Sequence, residues 1–257
     1  MSTRASQYAA TVGARVQLSD HLVRLLLDTP EGGFESSGVL DEWVGLVVPG
    51  QFQSRYYTVR AYDDDELVLD VVVHDEGLVT EWVQREDCVG STVTITEPKG
   101  SYALPEGAQW QLLVGDLTAM PAMARIAEHS EVPTRLWAEV PTGELREDYF
   151  PEGLGVTWLD APVDAPSRLA EVVEGIDWPE GDGYFWMAGE SAQMRAIRKY
   201  LMRDRMLPAA AYDVMGYWRA SAGRQPRAVD PGPIWRAGKA QGLSDEQIWA
   251  QYDEARS

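Results

Sequence analysis

Three short stretches of the sequence carry residue types that suit a planar, phosphorylated ligand. In SRYYTVR (54–60), the guanidinium of Arg55 suits a phosphate, the ring of Tyr57 suits the face of a flat ring, and the hydroxyl of Thr58 suits its edge. Alternation along a strand places Arg55 and Tyr57 on one face. The same residues also fit a plain strand with charged ends and tyrosines in the core.

The other two stretches each run from an apolar strand into a turn of small residues and then into a helix. They are VGDLTAMPAMARI (114–126) and WMAGE (186–190). Pro121 fits the first turn of a helix, and Ser191 fits an N-cap. The N–H groups and positive dipole end of a helix suit a diphosphate, while Glu190 suits an amide or a ribose. A plain strand-to-helix turn and an ordinary helix cap explain the same residues.

A further phosphate-binding candidate follows the strand that ends at His74. Gly77 and Thr80 lie in the insert after this strand, where backbone N–H groups can cradle a phosphate. A lone histidine after an apolar run equally fits a structural role.

The elements that must position these residues fall into two patterns. Residues 10–104 contain six short strands separated by turn residues, which predicts a small antiparallel barrel. The stretch DEGLVTEWVQRE (75–86) predicts a short helix between the last two strands. The predicted strands are ARVQLS (14–19), LVRLLLD (22–28), WVGLVV (43–48), RYYTVRAY (55–62), LVLDVVVH (67–74) and TVTITE (92–97).

From about residue 108, apolar strands alternate with helices, which predicts a parallel sheet with crossover helices. The predicted strands are QLLVG (111–115), RLWAEV (135–140), GVTWL (155–159), YFWMAG (184–189) and AYDVMGYW (211–218), and the predicted helices are 121–129, 167–175 and 191–206. The fold class is therefore β plus α/β. We expect three domains, 1–106, 107–220 and a C-terminal extension 221–257, whose last helix begins at the capping box Ser244–Gln247.

Composition excludes several function classes. The formal charge of −19 disfavours nucleic acid and anionic membrane surfaces. No apolar run predicts a secretory signal or a membrane span. The single cysteine, Cys88, excludes an intrachain disulfide and fits a reducing cytoplasm, and the three histidines show no metal-ligand spacing, so no metal site is expected.

In their order and spacing, these stretches resemble the ferredoxin reductase-like flavoproteins. More specifically, the chain resembles the siderophore-interacting protein family of FAD-dependent ferric-siderophore reductases, over roughly residues 12–220. The resemblance rests on DEWVGLVVP (41–49), SRYYTVR (54–60), DVVVH (70–74), EPKGSY (97–102), GDLTAMPAMARI (115–126), WMAGESAQMRAIRKYL (186–201) and GYWR (216–219). It implies an FAD-binding barrel in 1–106 and an NAD(P)H-binding domain in 107–220.

The resemblance also implies roles for individual residues. Arg55 contacts an FAD phosphate, Tyr57 packs on the isoalloxazine, and Thr58 bonds near its N5 edge. The residues implied to surround the diphosphate are His74, Gly77, Leu78, Val79 and Thr80, and those implied to line the nicotinamide-nucleotide side are Asp116, Thr118, Ala119, Gly189 and Glu190.

Two positions depart from the family's pattern. The family usually has Gly-Pro-Ala where this chain has Gly77-Leu78-Val79, which implies a less rigid loop around FAD. It usually has glutamate where Leu117 stands, which removes a carboxylate beside the reaction cleft.

The implied activity is reduction of a ferric siderophore by NADH or NADPH through FAD. A reduced nicotinamide gives two electrons together, ferric iron accepts one, and a flavin mediates between them, so no catalytic acid, base or nucleophile is expected. Hard oxygen ligands hold Fe(II) more weakly than Fe(III), so reduction releases the iron. Two alternatives are an FAD protein reduced by ferredoxin and a flavin-binding interaction module without nicotinamide turnover.

An anionic siderophore needs a local basic pocket in so acidic a chain. The residues expected to form it are Arg60, Lys99, Arg219 and Arg224, and ordinary solvated charge explains them equally well. Trp218 and Trp235 suit a cover over the flavin or the nicotinamide, or simple core packing.

The electron donor depends on the end of the second strand in the nucleotide domain. The segment AEVPTGELRED (138–148) is mostly acidic, and Arg146 is its one candidate for binding a 2′-phosphate, which slightly favours NADH. We further expect a cytoplasmic monomer.

Overall fold

The computed structural model describes residues 6–30, 32–51, 53–74, 77–146, 148–163 and 165–219, together with Ala237 and Gln241. The predicted terminal helix, Arg224 and Trp235 lie outside the described residues. Met1–Pro49 with Arg55–Ala220 forms one compact unit, to which all the strands and helices below belong, and Gly50–Ser54 with Ser221–Ser257 forms a second.

Six antiparallel strands form a closed barrel in the order β1-β2-β5-β4-β3-β6. A short helix, α1 (Leu78–Val83), lies between β5 and β6, so the predicted barrel and its inserted helix are both confirmed. The strands are β1 (Gln7–Ser19), β2 (Leu22–Asp28), β3 (Trp43–Val47), β4 (Arg55–Asp63), β5 (Glu66–Val72) and β6 (Thr92–Thr96).

The first strand is longer than predicted, because it serves two neighbours. Its first half pairs with β6 and its second half pairs with β2. The register shifts between Val12 and Ala14, at Gly13. A Cβ on Gly13 would lie 2.6 Å from Oδ2 of Asp28, so a larger residue here would have to displace that exposed carboxylate.

Five parallel strands form a sheet in the order β11-β10-β7-β8-β9. They are β7 (Trp110–Asp116), β8 (Thr134–Val140), β9 (Gly155–Asp160), β10 (Gly183–Glu190) and β11 (Tyr212–Trp218). Helix α2 (Met120–Glu128) follows β7, α3 (Leu169–Glu174) precedes β10, and α4 (Ser191–Arg203) follows β10. The predicted parallel sheet with crossover helices is confirmed.

The sheet is buried on both faces, as parallel sheets require. One face packs against α2 and includes Leu22 of the barrel. The other packs against α3 and α4. Successive strand residues alternate between these two cores: Leu112 and Val114 face α3 and α4, and Leu113 faces α2 and the barrel.

Two buried carboxylates of the barrel fix it against the sheet. Oδ1 of Asp41 accepts the backbone N–H groups of Ser101 and Tyr102 at 2.8 and 2.9 Å, and its Oδ2 accepts the indole N–H of Trp186 at 3.2 Å. Glu42 accepts from Arg125 of α2 at 2.9 Å. Burial acts to raise the pKa of Glu42, but hydrogen bonds from Ser36, Ser37 and Arg125 lower it overall.

A second set of polar contacts joins the barrel to the segment after β8. Arg24 forms a bidentate pair with Asp70, and Tyr149 donates its hydroxyl to Asp70 at 2.6 Å. Nδ1 of His21 lies 2.6 Å from Oε1 of Glu144. These contacts tie β2, β5 and the turn before β2 to the segment between β8 and β9. Among the helices described above, none is long and apolar enough to cross a membrane.

Candidate functional site

The start of β4 places the R-x-Y-T residues in different surroundings. Arg55 is exposed, Tyr57 packs partly buried against the barrel core, and Thr58 is buried. Burial raises the pKa of the Tyr57 phenol to about 12, and the positive charge of Arg55 opposes this rise. Tyr57 is therefore neutral at physiological pH, with a cation near its hydroxyl.

Thr58 lies next to the contact between β4 and the sheet half of the molecule. The hydroxyl of Tyr217, near the end of β11, is buried and has no hydrogen-bond partner within the described part of the chain. Burial raises the pKa of Tyr217, and the hydroxyl of Thr58 acts in the opposite direction. The direct contact is made at the residue after Thr58, where Nη1 of Arg125 in α2 donates to the carbonyl of Val59 at 3.0 Å.

The insert after β5 exposes backbone more than side chains. Gly77 precedes α1 with a φ of 150°, and no side chain caps the helix. Thr80 is buried and its hydroxyl accepts the backbone N–H of His74 at 3.2 Å, while Val79 packs in the barrel core. Leu78 is exposed. Any ligand here therefore meets backbone N–H groups rather than the side chains of Val79 and Thr80.

Asp116, the last residue of β7, organises the turn into α2. Its Oδ1 accepts the backbone N–H and the hydroxyl of Thr118 at 2.9 and 2.5 Å, and its Oδ2 accepts the indole N–H of Trp218 at 2.7 Å. Burial raises the pKa of Asp116, while these hydrogen bonds partly offset the rise. The carboxylate thus sets the turn and holds the Trp218 ring.

The ends of β7 and β10 approach too closely for side chains at two glycines. A Cβ on Gly189, whose φ is +148°, would lie 2.5 Å from Oδ2 of Asp116. A Cβ on Gly115 would lie 2.4 Å from the Cβ of Ala119, which is fully buried before α2. The small residues of both turns therefore serve close packing of the strand ends as well as access for a ligand.

Three buried carboxylates line up along this edge of the sheet. Asp116 and Glu190 are the last residues of β7 and β10, and Glu139 is the last but one of β8, the neighbour of β7, where it pairs in register with Asp116. Burial raises the pKa of Glu139, and the charges of Asp116 and Glu190 add to the rise. Oε2 of Glu190 has no hydrogen-bond partner among the described residues, which also contain no acidic, histidine or cysteine cluster suited to a metal ion.

Trp218 lies at the same edge, where it is 39% exposed. Its indole N–H is held by Asp116, and its carbonyl accepts the hydroxyl of Ser191 at 2.8 Å. Of the two interpretations of Trp218, core packing is therefore wrong, since the ring is held at its indole N–H and is partly exposed, and its role as a cover over a ligand stays a prediction.

Comparison with known protein families covers most of the chain. The model of the siderophore-interacting FAD-binding domain matches residues 11–102, and the model of the siderophore-interacting protein matches residues 108–221. The chain belongs to the siderophore-interacting protein family. The predicted resemblance is confirmed, and the barrel is the FAD-binding domain of this family.

Individual relatives agree with this family assignment. The chain is 32% identical to ferric vibriobactin reductase ViuB of Vibrio cholerae over 173 residues, which are 64% of each protein, so it spans just under two thirds of that relative. It is 29% identical to the NADPH-dependent ferric-chelate reductase of Escherichia coli over 210 residues, 77% of this chain and 78% of that one. A crystal structure of a siderophore utilization protein from T. fusca superimposes with a TM-score of 0.73 and 25% identity, covering 85% of this chain and 94% of that one.

The family's cofactor fits the residues at this site. The exposed guanidinium of Arg55 and the uncapped N–H groups before α1 suit the phosphates of FAD. Tyr56, next to Arg55 on β4, is 67% exposed, and its register partner on β3, Gly45, has no side chain that could cover the tyrosine ring. The assignment of single residues to FAD stays a prediction.

The basic residues expected to bind substrate are not equivalent in the structure. The guanidinium of Arg60 makes a bidentate pair with Glu128, and its side chain is 13% exposed, so it is not available to a ligand. Lys99 and Arg219 are both exposed. Lys99 pairs through its backbone with Trp43, which is the register partner of Thr58. Arg219 directly follows β11, and Arg224 lies outside the described residues.

Two groups of residues at the site were missed from the sequence. Glu139 is the last but one residue of the predicted strand 135–140. That this strand is the second of the parallel sheet is the observation that could have identified Glu139 as a site residue. Asp41 and Glu42 gave no such signal, because a charged pair before a strand usually lies in solvent.

Proposed function

We propose that this chain reduces ferric siderophores with electrons from a reduced nicotinamide nucleotide, through FAD bound at the barrel. The observation that carries the proposal is the direct contact between β4, the strand assigned to FAD, and α2, the helix that follows the end of β7: Arg125 of α2 donates to the carbonyl of Val59, next to Thr58, at 3.0 Å. Dinucleotides bind across the carboxyl ends of strands in open parallel sheets. A donor bound there would lie beside the flavin edge. The names of the Vibrio cholerae and Escherichia coli relatives support the same activity.

When bound, FAD supplies the exchange between a two-electron donor and a one-electron acceptor. The protein's own residues bind and orient. Arg55 neutralises phosphate charge, and Tyr57 offers a neutral ring because burial keeps its pKa high. Thr58 offers a hydroxyl at the ring edge, and Asp116 keeps the α2 turn and Trp218 in place.

The substrate side follows from charge. Many ferric siderophores are anionic, and the chain has a formal charge of −19, so exposed cations near the flavin edge must attract them locally. Lys99 and Arg219 fill this role in our proposal, since both are exposed, Lys99 pairs through its backbone with the register partner of Thr58, and Arg219 directly follows the carboxyl end of β11. We place the reaction in the cytoplasm, in keeping with a single, buried cysteine.

The test is anaerobic titration of the purified protein with each possible donor. We expect a flavin absorbance near 450 nm that bleaches with NADH or NADPH and recovers when a ferric siderophore is added. Bleaching with reduced ferredoxin alone would assign a protein donor. Failure to bind FAD, even when FAD is added, would contradict the proposal.

A second candidate function rests on Leu117. This residue stands where the family usually has a carboxylate, and it is buried in the sheet core beside α2. A chain that binds FAD but is reduced by none of these donors would be a flavin-binding interaction module.

A further inference from the structure

The strand order fixes where the adenosine end of a dinucleotide would lie. In sheets of this kind the ligand crosses the carboxyl ends of the first two strands, and an acidic residue at the end of the second bonds the ribose 2′-hydroxyl. Here β7 is the first strand of the sheet along the chain and lies at its centre, and β8 is the second and lies next to it. Glu139 is the sixth of the seven residues of β8. It therefore stands where that acid is required.

Glu139 also borders a cavity of suitable character. A depression of about 320 Å³ lies beyond the ends of β8 and β9 and is lined by Glu139, Leu159, Asp160, Arg168, Glu171 and Val172. The apolar pair in this set suits the faces of an adenine. Glu139 is 5% exposed, and the backbone N–H of Arg168 donates to its Oε2 at 3.1 Å, so the carboxylate is held in place at the base of the depression.

The two guanidinium groups near this depression are already paired. Arg168 donates from Nε and Nη2 to Glu171 at 3.0 and 2.8 Å. Arg146, the candidate for a 2′-phosphate, pairs with Asp160 and lies over the ring of Trp158. A 2′-phosphate would therefore have to compete with Glu171 and Asp160 for these two cations.

We infer that Glu139 selects the nucleotide without a 2′-phosphate, so that this chain takes NADH in preference to NADPH. The inference rests on the proposed function. Around the depression the carboxylates Glu139, Asp160 and Glu171 outnumber the guanidinium groups of Arg146 and Arg168 by one. A 2′-phosphate would add roughly 1.5 to 2 negative charges to this acidic surrounding. A ribose hydroxyl instead donates a hydrogen bond to Glu139. This preference would separate the chain from its NADPH-dependent relative in Escherichia coli.

Calorimetric titration of the FAD-loaded protein tests the inference without turnover. The probes are NAD⁺ against NADP⁺, which cannot reduce the flavin, and 5′-AMP against 2′,5′-ADP, which carry the same difference without a nicotinamide. We expect NAD⁺ and 5′-AMP to bind roughly tenfold more tightly, or more, than their 2′-phosphorylated counterparts. Equal affinity, or tighter binding of NADP⁺ and 2′,5′-ADP, would overturn the inference.

Two variants connect the preference to named residues. Glu139→Gln keeps an acceptor for the Arg168 N–H but removes the charge, and it should reduce the preference to within about threefold. Glu171→Gln leaves the core untouched, because the Glu171 side chain is 68% exposed, and it should strengthen 2′,5′-ADP binding by releasing the guanidinium of Arg168. Glu131→Gln is the control, since Glu131 is exposed before the other end of β8. An unchanged preference in both variants would contradict the assignment to Glu139.

The outcome also separates this inference from the proposed function. If both dinucleotides bleach the flavin and bind equally well, the reductase proposal stands and the preference is wrong. If neither dinucleotide binds or bleaches, the nicotinamide-dependent function fails and the preference fails with it.

Discussion

At the scale of single residues, buried carboxylates fix the geometry of the turns at the carboxyl ends of the sheet strands. Asp116 satisfies its two oxygens with Thr118 and Trp218, and Glu139 binds the backbone N–H of Arg168. These carboxylates shape the turns before any ligand arrives, so a substitution here changes the turn as well as the contact. Arg55 differs from them, because it is exposed and its guanidinium is available to a ligand.

Arg55→Ala should weaken FAD binding by about tenfold or more, since a charge-assisted hydrogen bond contributes roughly 1.5–3 kcal/mol. The measurement is the FAD dissociation constant from quenching of flavin fluorescence. Arg85→Ala is the matched control, because Arg85 is an exposed arginine of the same barrel whose partner is the equally exposed Asp87. An unchanged affinity in Arg55→Ala would show that Arg55 does not contact the cofactor.

The raised pKa of Glu139 predicts a pH dependence of stability. The folded state holds this proton more tightly than the unfolded chain, so stability falls as the pH rises from the ordinary value of 4.5 through the raised pKa. Glu139→Gln should make this fall smaller and should stabilise the protein relative to the parent above that window. Urea unfolding at a series of pH values measures it. A parallel pH profile in parent and variant would contradict the burial-induced shift.

At the scale of elements, the sequence patterns were informative wherever a segment makes its own structure. All eleven predicted strands exist, and a helix follows both β7 and β10 as predicted. The prediction of Ser191 as an N-cap is wrong, because β10 runs through Glu190, which is the N-cap, and Ser191 is the first residue of α4 and donates its hydroxyl to the carbonyl of Trp218. The length of β1 was not predictable, because its first half is a strand only through pairing with β6, more than eighty positions along the chain. Val59 shows the same limit, since its carbonyl accepts a hydrogen bond from Arg125 of α2, 66 positions along the chain.

Long-range ion pairs account for most of what the sequence did not reveal. Glu42 and Arg125 are 83 positions apart, and Arg60 and Glu128 are 68 apart. Each of these residues alone has the pattern of an exposed charge. Their partners, and hence their role in joining barrel to sheet, depend on how the two halves pack.

Arg125→Ala should therefore destabilise the protein by roughly 3–5 kcal/mol, because it leaves the buried Glu42 without its cation. Chemical denaturation measures the change. The double variant Glu42→Gln with Arg125→Met should recover part of the loss, since it removes the uncompensated charge. The control is Arg85→Ala, whose exposed ion pair should contribute nothing measurable. A similarly small effect for Arg125→Ala would show that the pair does not hold the junction.

At the scale of the whole molecule, the net negative charge determines what an anionic substrate meets before it reaches the site. A formal charge of −19 repels an anionic ferric chelate at long range, and salt screens that repulsion. Binding must then rely on cations close to the flavin edge. Arg60 is excluded from this group by Glu128, which leaves Lys99 and Arg219 among the described residues considered for it.

Lys99→Ala and Arg219→Ala should each raise the KM for an anionic ferric chelate about two- to fivefold, in keeping with the modest effect of exposed charges. The rate of flavin reduction by nicotinamide should stay the same, because that step precedes encounter with the chelate. Arg203→Ala removes an equally exposed cation from the far end of α4 and should change neither quantity. The increases in KM should shrink at high salt and vanish with an uncharged chelate. An effect of equal size on the uncharged chelate would mean that the substitutions disturb the pocket, and an unchanged KM in both variants would place the siderophore elsewhere.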